Sequence, residues 1–316
     1  MGLAEKVMAG NVQAAARLIT GLEEENPEAI AELDILYPYT GKSAVIGITG
    51  APGIGKSTLI AGLTGALRKR DLTVGIIAID PTSPFTGGAL LGDRIRMQSH
   101  SADKGVFVRS LATRGYAGGM AGVTLATIHV MDAMGKDFIL VETVGTGQNE
   151  VDIAHVADTT VVMLSAESGD DIQLMKAGII EIADIFVVNK ADKGGAESIA
   201  AEVETMLDLR EYGVEEWKPP VVITDAISGK GIDKLAEEIL HHHKYLVDRG
   251  GLAERRETRA RHELETNLAK LIKNYFKHSG TEEYPDKLVA DFALRKESPG
   301  SATRKIIEAF LKRYKT

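Results

Sequence analysis

The chain has 316 residues, of which 44% are hydrophobic and 26% charged, with a formal net charge of −8 and no cysteine. It is long enough to bury a full α/β core; disulfides, thiol catalysis and cysteine-held metals are excluded, and the acidic balance argues against a nucleic-acid partner. No apolar run approaches the roughly 20 residues of a membrane span, and the opening MGLAEKVMAGNVQAAARLIT carries acidic residues without a long apolar stretch, so neither a secretory signal nor a transit peptide is expected and a cytoplasmic location is.

Residues 1–36 read as helical, with Leu3, Val7, Leu18 and Ile19 favouring one face and Asn26-Pro27 marking a break between two helices. Tyr37 to Lys42 reads as a linker. Apolar, β-branched runs then recur at 44–48, 73–79, 105–111, 137–141, 159–164, 184–188 and 220–224, separated mostly by stretches of helical spacing. This alternation predicts βαβ units: an α/β fold with a mainly parallel sheet and helices on both faces. Aromatic residues are only 5%, so the core must be built from Val, Ile, Leu and Ala, as in a buried parallel sheet. The character changes from about 234. Residues 252–278 predict a charged helix with a narrow stripe of Leu264, Leu268, Leu271 and Tyr275. A last helix fits 302–314, with Ser301 as N-cap and Ile306, Phe310 and Leu311 inside. The expected division is 1–40 (helical N-terminal region), 41–245 (nucleotide-binding domain) and 246–316 (helical C-terminal arm). The narrow leucine stripe, flanked by charge, predicts a two-helix seam and so a homodimer.

In parallel sheets ligands bind beyond the carboxyl ends of the strands, and the informative residues lie there. GAPGIGKS, residues 50–57, matches the phosphate-loop pattern in full, between a strand and a helix. Gly50, Gly53 and Gly55 let the backbone wrap close to phosphate, and the loop N–H groups, with Ile54 and Thr58 in the same turn, point at the anion. Lys56 would reach the β- and γ-phosphates, and Ser57 would ligate Mg²⁺. Asp80 and Glu142 each end a strand run, where a carboxylate can hold Mg²⁺ directly or through water. Glu142-Thr143-Val144-Gly145 fits the acidic-x-x-Gly element of GTPases, and Gly145 could offer its N–H to the γ-phosphate. A helix cap or a solvated strand end is the plainer alternative for each carboxylate.

NKAD, residues 189–192, follows the run 184–188 and selects the base. Asp192 can accept two hydrogen bonds from guanine N1–H and N2–H₂, donors that adenine lacks. Asn189 would contact the base and brace the loop, while the Lys190 stem covers the ring. TDAISGKGI, residues 224–232, stands where a further loop closes over guanine. Asp225 replaces the usual Ser there, so the backbone of Ala226 carries the expected contact. The nucleotides implied are GTP and GDP.

Three further stretches carry a family resemblance: IDPTSPFTGGALLGDRIRM (79–97), ETVGTGQNEVDIAHVAD (142–158) and AESGDDIQLMKAGIIEIADIFVVNKAD (166–192). With the motifs above, the chain resembles the MeaB/ArgK-type GTPases, relatives of the human methylmalonic aciduria type A protein and of the metal-insertion GTPases of hydrogenase and urease. The resemblance covers about residues 40–240. It implies a P-loop GTPase that acts as a chaperone for a cobalamin-dependent acyl-CoA mutase, usually methylmalonyl-CoA mutase, with a helical N-terminal region and a C-terminal dimerisation arm. It also implies that Asp93 is a switch carboxylate near Mg²⁺. Residues 167–178, with Asp170, Gln173 and Lys176, would form a partner-sensing segment that approaches the nucleotide. The Gln that small GTPases often carry directly after the acidic-x-x-Gly is Thr146 here. Gln148, Asp93 or a partner-stabilised segment must then position the attacking water. Arg94, Arg96 and Arg114 could supply positive charge to the transition state, with solvated or structural arginines the plainer alternative for each.

The intact Lys56, Ser57, Asp93 and Glu142 argue against a pure binding module with a decayed site, and two other rivals remain at this level. His241-His242-His243 suggests a nickel-delivery GTPase, though adjacent residues on a helix point in different directions. A transport-linked ATP-dependent kinase is the other, and NKAD argues against it.

Overall fold

Runs rich in Val and Ile show no polar alternation when they are covered on both faces, and the central strands of this protein have that property. In the computed structural model, which describes residues 2–80, 103–112, 119–143, 152–165, 180–278 and 286–314, they are β1 (Ala44–Gly50), β2 (Val74–Asp80), β3 (Val106–Ala112), β4 (Phe138–Glu142), β5 (Thr159–Ser165), β6 (Ile185–Asn189) and β7 (Val221–Ile223). Each predicted run is a strand. All pairings are parallel, in the order β3-β2-β4-β1-β5-β6-β7. The helices are α1 (Leu3–Met8), α2 (Val12–Glu23), α3 (Pro27–Leu36), α4 (Lys56–Arg68), α5 (Gly119–Ala133), α6 (Ala196–Asp208), α7 (Ile232–Asp248), α8 (Gly251–His278), α9 (Asp286–Ala293) and α10 (Pro299–Tyr314).

Both faces of the sheet are covered. On one, Leu59, Ile60, Leu63 and Leu67 of α4, with Leu235 and Ile239 of α7, pack on Ile46, Ile48, Ile76, Leu140 and Met163. On the other, Val7, Leu18 and Ile19 of the first two helices join Met131 of α5 over Val45, Ile77, Ile139 and Val141. The N-terminal helices are thus a wall of the core. They number three where the sequence suggested two. Gly10 takes φ +78°, which suits glycine, and the Asn11 side chain accepts from Ala14 N at 2.8 Å, restarting the helix. The expected break at Asn26-Pro27 is present: Asn26 accepts from Glu28 N at 2.8 Å and Pro27 opens α3.

Two expectations at the C-terminus need correction. The last helix starts at Pro299, and Ser298 Oγ, not Ser301, accepts the cap bond, from Ser301 N at 3.2 Å. Proline pre-set for the first helical position moves the start upstream. Leu311 is half exposed and Ile306 only partly buried, while the Phe310 side chain lies outside the described residues.

At the amino ends of the strands, α8 is bolted to the sheet. Asp184, just before β6, accepts two bonds from Arg255 at 2.7 Å each and one from Thr160 N at 2.8 Å. Asp158, just before β5, accepts from Val45 N at 2.9 Å and pairs with Arg259 at 3.1 Å. Both carboxylates are buried. Arg255 and Arg259 also donate to the carbonyls of Asp158 and Val156, each at 2.7 Å. The first turns of α8 are therefore part of the globule, and removing them would strand two buried charges, at a cost of roughly 3–5 kcal/mol for a broken buried pair.

Candidate nucleotide-binding site

The phosphate loop is shaped by glycines that nothing else could replace. Gly50 closes β1 at φ +142°, and a Cβ there would lie 2.5 Å from the Met163 carbonyl oxygen. Gly55 takes φ +102°, and its Cβ would lie 2.6 Å from Asn189 Nδ2. Gly55 is also the N-cap of α4, so no side chain caps that helix. A helix start without a side-chain cap turns its first N–H groups towards whatever anion sits in front of it. Lys56 Nζ donates to Gly50 O at 2.7 Å and Ala51 O at 3.0 Å, which holds the ammonium across the mouth of the loop. Ile54 sends its side chain into the core with Leu59 and Leu63, leaving its backbone to serve the loop. Gly53 has φ +75°, and Thr58 is half-buried on the first turn of α4.

Next to this loop lies a carboxylate. Glu142 ends β4, whose register places it beside Ile48 of β1 and Ala78 of β2. Its Oε1 accepts from Ser57 Oγ at 2.7 Å, and both residues are buried. Two hard oxygen donors within one hydrogen bond of each other form a set that suits Mg²⁺. Asp80 ends the adjacent strand, two residues past the Ala78 rung; its side chain lies outside the described residues. Asp93, Gly145, Gln148, Asp170, Gln173 and Lys176, with Arg94, Arg96 and Arg114, also lie outside them.

The base loops converge on Asn189, which ends β6. Its Nδ2 donates to Ile54 O at 2.9 Å. Its Oδ1 accepts from Thr224 Oγ1 at 2.9 Å and from Ala226 N at 3.1 Å. One amide thus ties together the phosphate loop, its own loop and the loop after β7. Asn189 acts here as the brace, and the Ala226 N–H is committed to it. Lys190 follows in the left-handed region at φ +62°. Asp192 sits in the single turn Ala191–Lys193, partly exposed, with its carboxylate 3.9 Å from Lys193 Nζ. Asp225 does have a side-chain role that sequence reasoning discounted. It accepts from the backbone N–H of Ile227 (3.0 Å) and Ser228 (3.3 Å), and these bonds with the Ser228 hydroxyl, the largest effect, hold its carboxyl below the usual range. Thr224 was missed altogether, although its place at the end of the run 220–224 marks the ligand edge.

The histidine tract does not converge. His241 is exposed. His242 is fully buried, its Nδ1 2.9 Å from Thr159 Oγ1, and burial pushes its pKa down to about 4. His243 packs edge-on to Phe138, with centroids 6.3 Å apart. Among the described residues no group of three or more His, Asp or Glu side chains could hold a metal ion, and no helix is long and apolar enough to cross a membrane.

Comparison with known proteins follows the same lines. Residues 15–280 match the family described as methylmalonyl-CoA mutase-associated GTPase MeaB. A GTPase-designated protein of Pyrococcus horikoshii is 47% identical over 314 residues, 98% of each chain. The mouse protein called methylmalonic aciduria type A homolog, mitochondrial, is 34% identical over 276 residues, 85% of this chain and 66% of that one. A crystal structure described as LAO/AO transport system kinase superposes with a TM-score of 0.71 over 98% of this chain and 96% of that one; at 24% identity it speaks to the fold alone.

Proposed function

Since the chain belongs to the family of methylmalonyl-CoA mutase-associated GTPases and is a GTPase, we propose that the site around Lys56, Ser57 and Asn189 binds GTP with Mg²⁺, and that hydrolysis gates a chaperone cycle on a cobalamin-dependent acyl-CoA mutase. Methylmalonyl-CoA mutase is the partner that the family description supports. The observation that carries the reading is the Asn189 amide, which joins Ile54 of the phosphate loop to Thr224 and Ala226 of the base loop. A base held at Asp192 is thereby linked mechanically to the phosphates held at Lys56.

In this reading Lys56 neutralises charge at the β- and γ-phosphates, and the N–H groups of Gly53, Ile54, Gly55, Ser57 and Thr58 cradle them. Ser57 and Glu142, with Asp80 and Asp93, hold the metal ion. Bound there, Mg²⁺ would supply positive charge against the negative charge that develops in the transition state. Gly145 would sense the γ-phosphate, Gln148, Asp93 or a partner-stabilised segment would orient the attacking water, and Gln173 and Lys176 would serve the nucleotide when the partner is bound. Residues 1–40, 41–245 and 246–316 act as helical wall, GTPase unit and arm, in a cytoplasmic protein. A chaperone gated by a nucleotide must bind its client differently in the GTP and GDP states, and titrating the cognate mutase against both states tests that.

The arm supports a homodimer. Leu264, Leu268 and Leu271 follow one another at helical spacing and are 71%, 57% and 47% exposed, whereas the opposite side of α8 is occupied by Arg255, Arg259 and a Glu263–His129 contact at 3.2 Å. A second copy of the same stripe would cover those leucines. Cutting the chain at residue 250 is a poor test, because it also removes the arginines that neutralise Asp158 and Asp184. The triple replacement Leu264→Glu, Leu268→Glu, Leu271→Glu leaves them in place. It should sediment as a monomer at micromolar concentration and bind GDP as tightly as the wild type. A triple variant that stays dimeric would refute the seam, as would a monomeric wild type.

A further inference from the structure

Beside the Glu142–Ser57 contact lies a second buried polar pair. Thr143 Oγ1 donates to Thr49 Oγ1 at 3.0 Å, and both threonines are buried. Thr49 precedes the phosphate loop on β1, and Thr143 follows Glu142 directly. Neither hydroxyl is needed to fill the core, since valine has the same shape and Val45 of β1 and Ile139 and Val141 of β4, on the same face of the sheet, are buried aliphatics. A buried hydroxyl placed where valine would pack calls for another reason.

The backbone supplies one. β4 has only five residues and Glu142 is the last. A carboxylate on the final rung of a short strand frays unless something closes the ladder beyond it. Thr143 does so twice: its N–H donates to Ile48 O at 3.2 Å, and its hydroxyl reaches Thr49. Successive strand residues point to opposite faces, so the two threonines grip the chain on one side while Glu142 extends to Ser57 on the other. We propose that the Thr49–Thr143 hydroxyl pair is a positioning device that holds the Glu142 carboxylate, and with it Ser57, in register for Mg²⁺. The proposal rests on the reading of Ser57 and Glu142 as metal-facing.

The test is the double variant Thr49→Val, Thr143→Val, which removes both hydroxyls together and leaves no buried group unpaired. Three quantities are measured on the full chain: the Mg²⁺ concentration giving half-maximal GTP turnover, GDP affinity in EDTA, and melting temperature. The Mg²⁺ requirement should rise about 10-fold, the loss typical when a group that orients a metal ligand is removed, while GDP affinity in EDTA stays within about 2-fold. Thr143→Ser, which keeps the hydroxyl, should lie near the wild type. An unchanged Mg²⁺ requirement in the double variant overturns the proposal. An equal loss of GDP affinity in EDTA also overturns it, because the pair would then serve the whole loop. Should the double variant not fold, Thr143→Ala against Thr143→Ser decides by the same readouts. Glu142→Ala separates the two levels: if it leaves the Mg²⁺ requirement unchanged, the metal-facing reading itself fails. If Glu142→Ala raises the requirement and the valine pair does not, only the role of the threonines is lost.

Discussion

Lys56→Ala is expected to abolish GTP hydrolysis, lowering turnover by at least roughly 10²–10³-fold, the loss seen when a preorganised donor to developing charge is removed. The ammonium is held across the loop by the carbonyls of Gly50 and Ala51 at 2.7 and 3.0 Å, where the proposed site places the β- and γ-phosphates. GDP binding should weaken as well, since the β-phosphate loses its point charge. The sheet should be unaffected, because the carbonyls of Gly50 and Ala51 that the ammonium contacts lie at the carboxyl end of β1, beyond the packed core. Single-turnover hydrolysis with [γ-³²P]-labelled GTP, beside a melting curve, checks this. Wild-type turnover in a folded variant would remove the phosphate site from the position assigned to it.

Asp192→Asn should shift the preference from guanine to xanthine, changing the GTP:XTP affinity ratio by roughly 10²-fold or more, as expected where a site is built around specific donors. Xanthine carries a carbonyl at C2 where guanine has an amine, and an amide can donate to it while a carboxylate cannot. Asp192 is suited to such an exchange. It lies in the exposed single turn Ala191–Lys193, and among the described residues its ion pair is a long one, 3.9 Å, with Lys193. The brace at Asn189 is three residues away and keeps its partners. Competition of XTP and GTP for a fluorescent nucleotide gives the ratio directly. An unchanged ratio would mean that the base is read elsewhere.

What could be read from the sequence follows from which interactions are local. The strands were legible because a buried parallel strand is a continuous apolar run, and 44–48 or 184–188 needs no partner to be recognised. The phosphate loop was legible because its glycines answer to backbone geometry within eight residues. The interactions that escaped are those whose two halves lie far apart in the chain. Arg255 and Arg259 sit in a stretch that reads as a solvated charged helix, yet their carboxylates, Asp184 and Asp158, lie 71 and about 100 residues upstream. Asn189 was expected to contact the base and brace the loop, but nothing near it announces that Ile54, 135 residues earlier, takes its amide. The Thr49–Thr143 pair spans 94 residues and shows no pattern at all. Local errors had local causes: Gly10-Asn11 was overlooked as a helix restart, and Pro299 places the cap at Ser298.

The α8 result also changes how the arm is understood. Its first turns belong to the core by charge and its leucine stripe faces away, so one helix connects the amino ends of β5 and β6 to whatever covers the stripe. Those strands end, at the other side of the sheet, at Ser165 and at the Asn189 brace. A partner that shifts α8 would therefore act on elements that reach the nucleotide.

In the proposed chaperone cycle, nucleotide state and mutase affinity are coupled. Linkage requires the coupling to be reciprocal. The most direct measurement is equilibrium binding of the cognate acyl-CoA mutase to the full chain, loaded with GDP and with a non-hydrolysable GTP analogue under the same salt and Mg²⁺. The expected result is a ratio of dissociation constants of about 5–150, the span of typical coupling free energies, with the same ratio recovered when nucleotide affinities are measured with and without the mutase. Equal mutase affinity in the two states would contradict the account, however tightly the mutase bound.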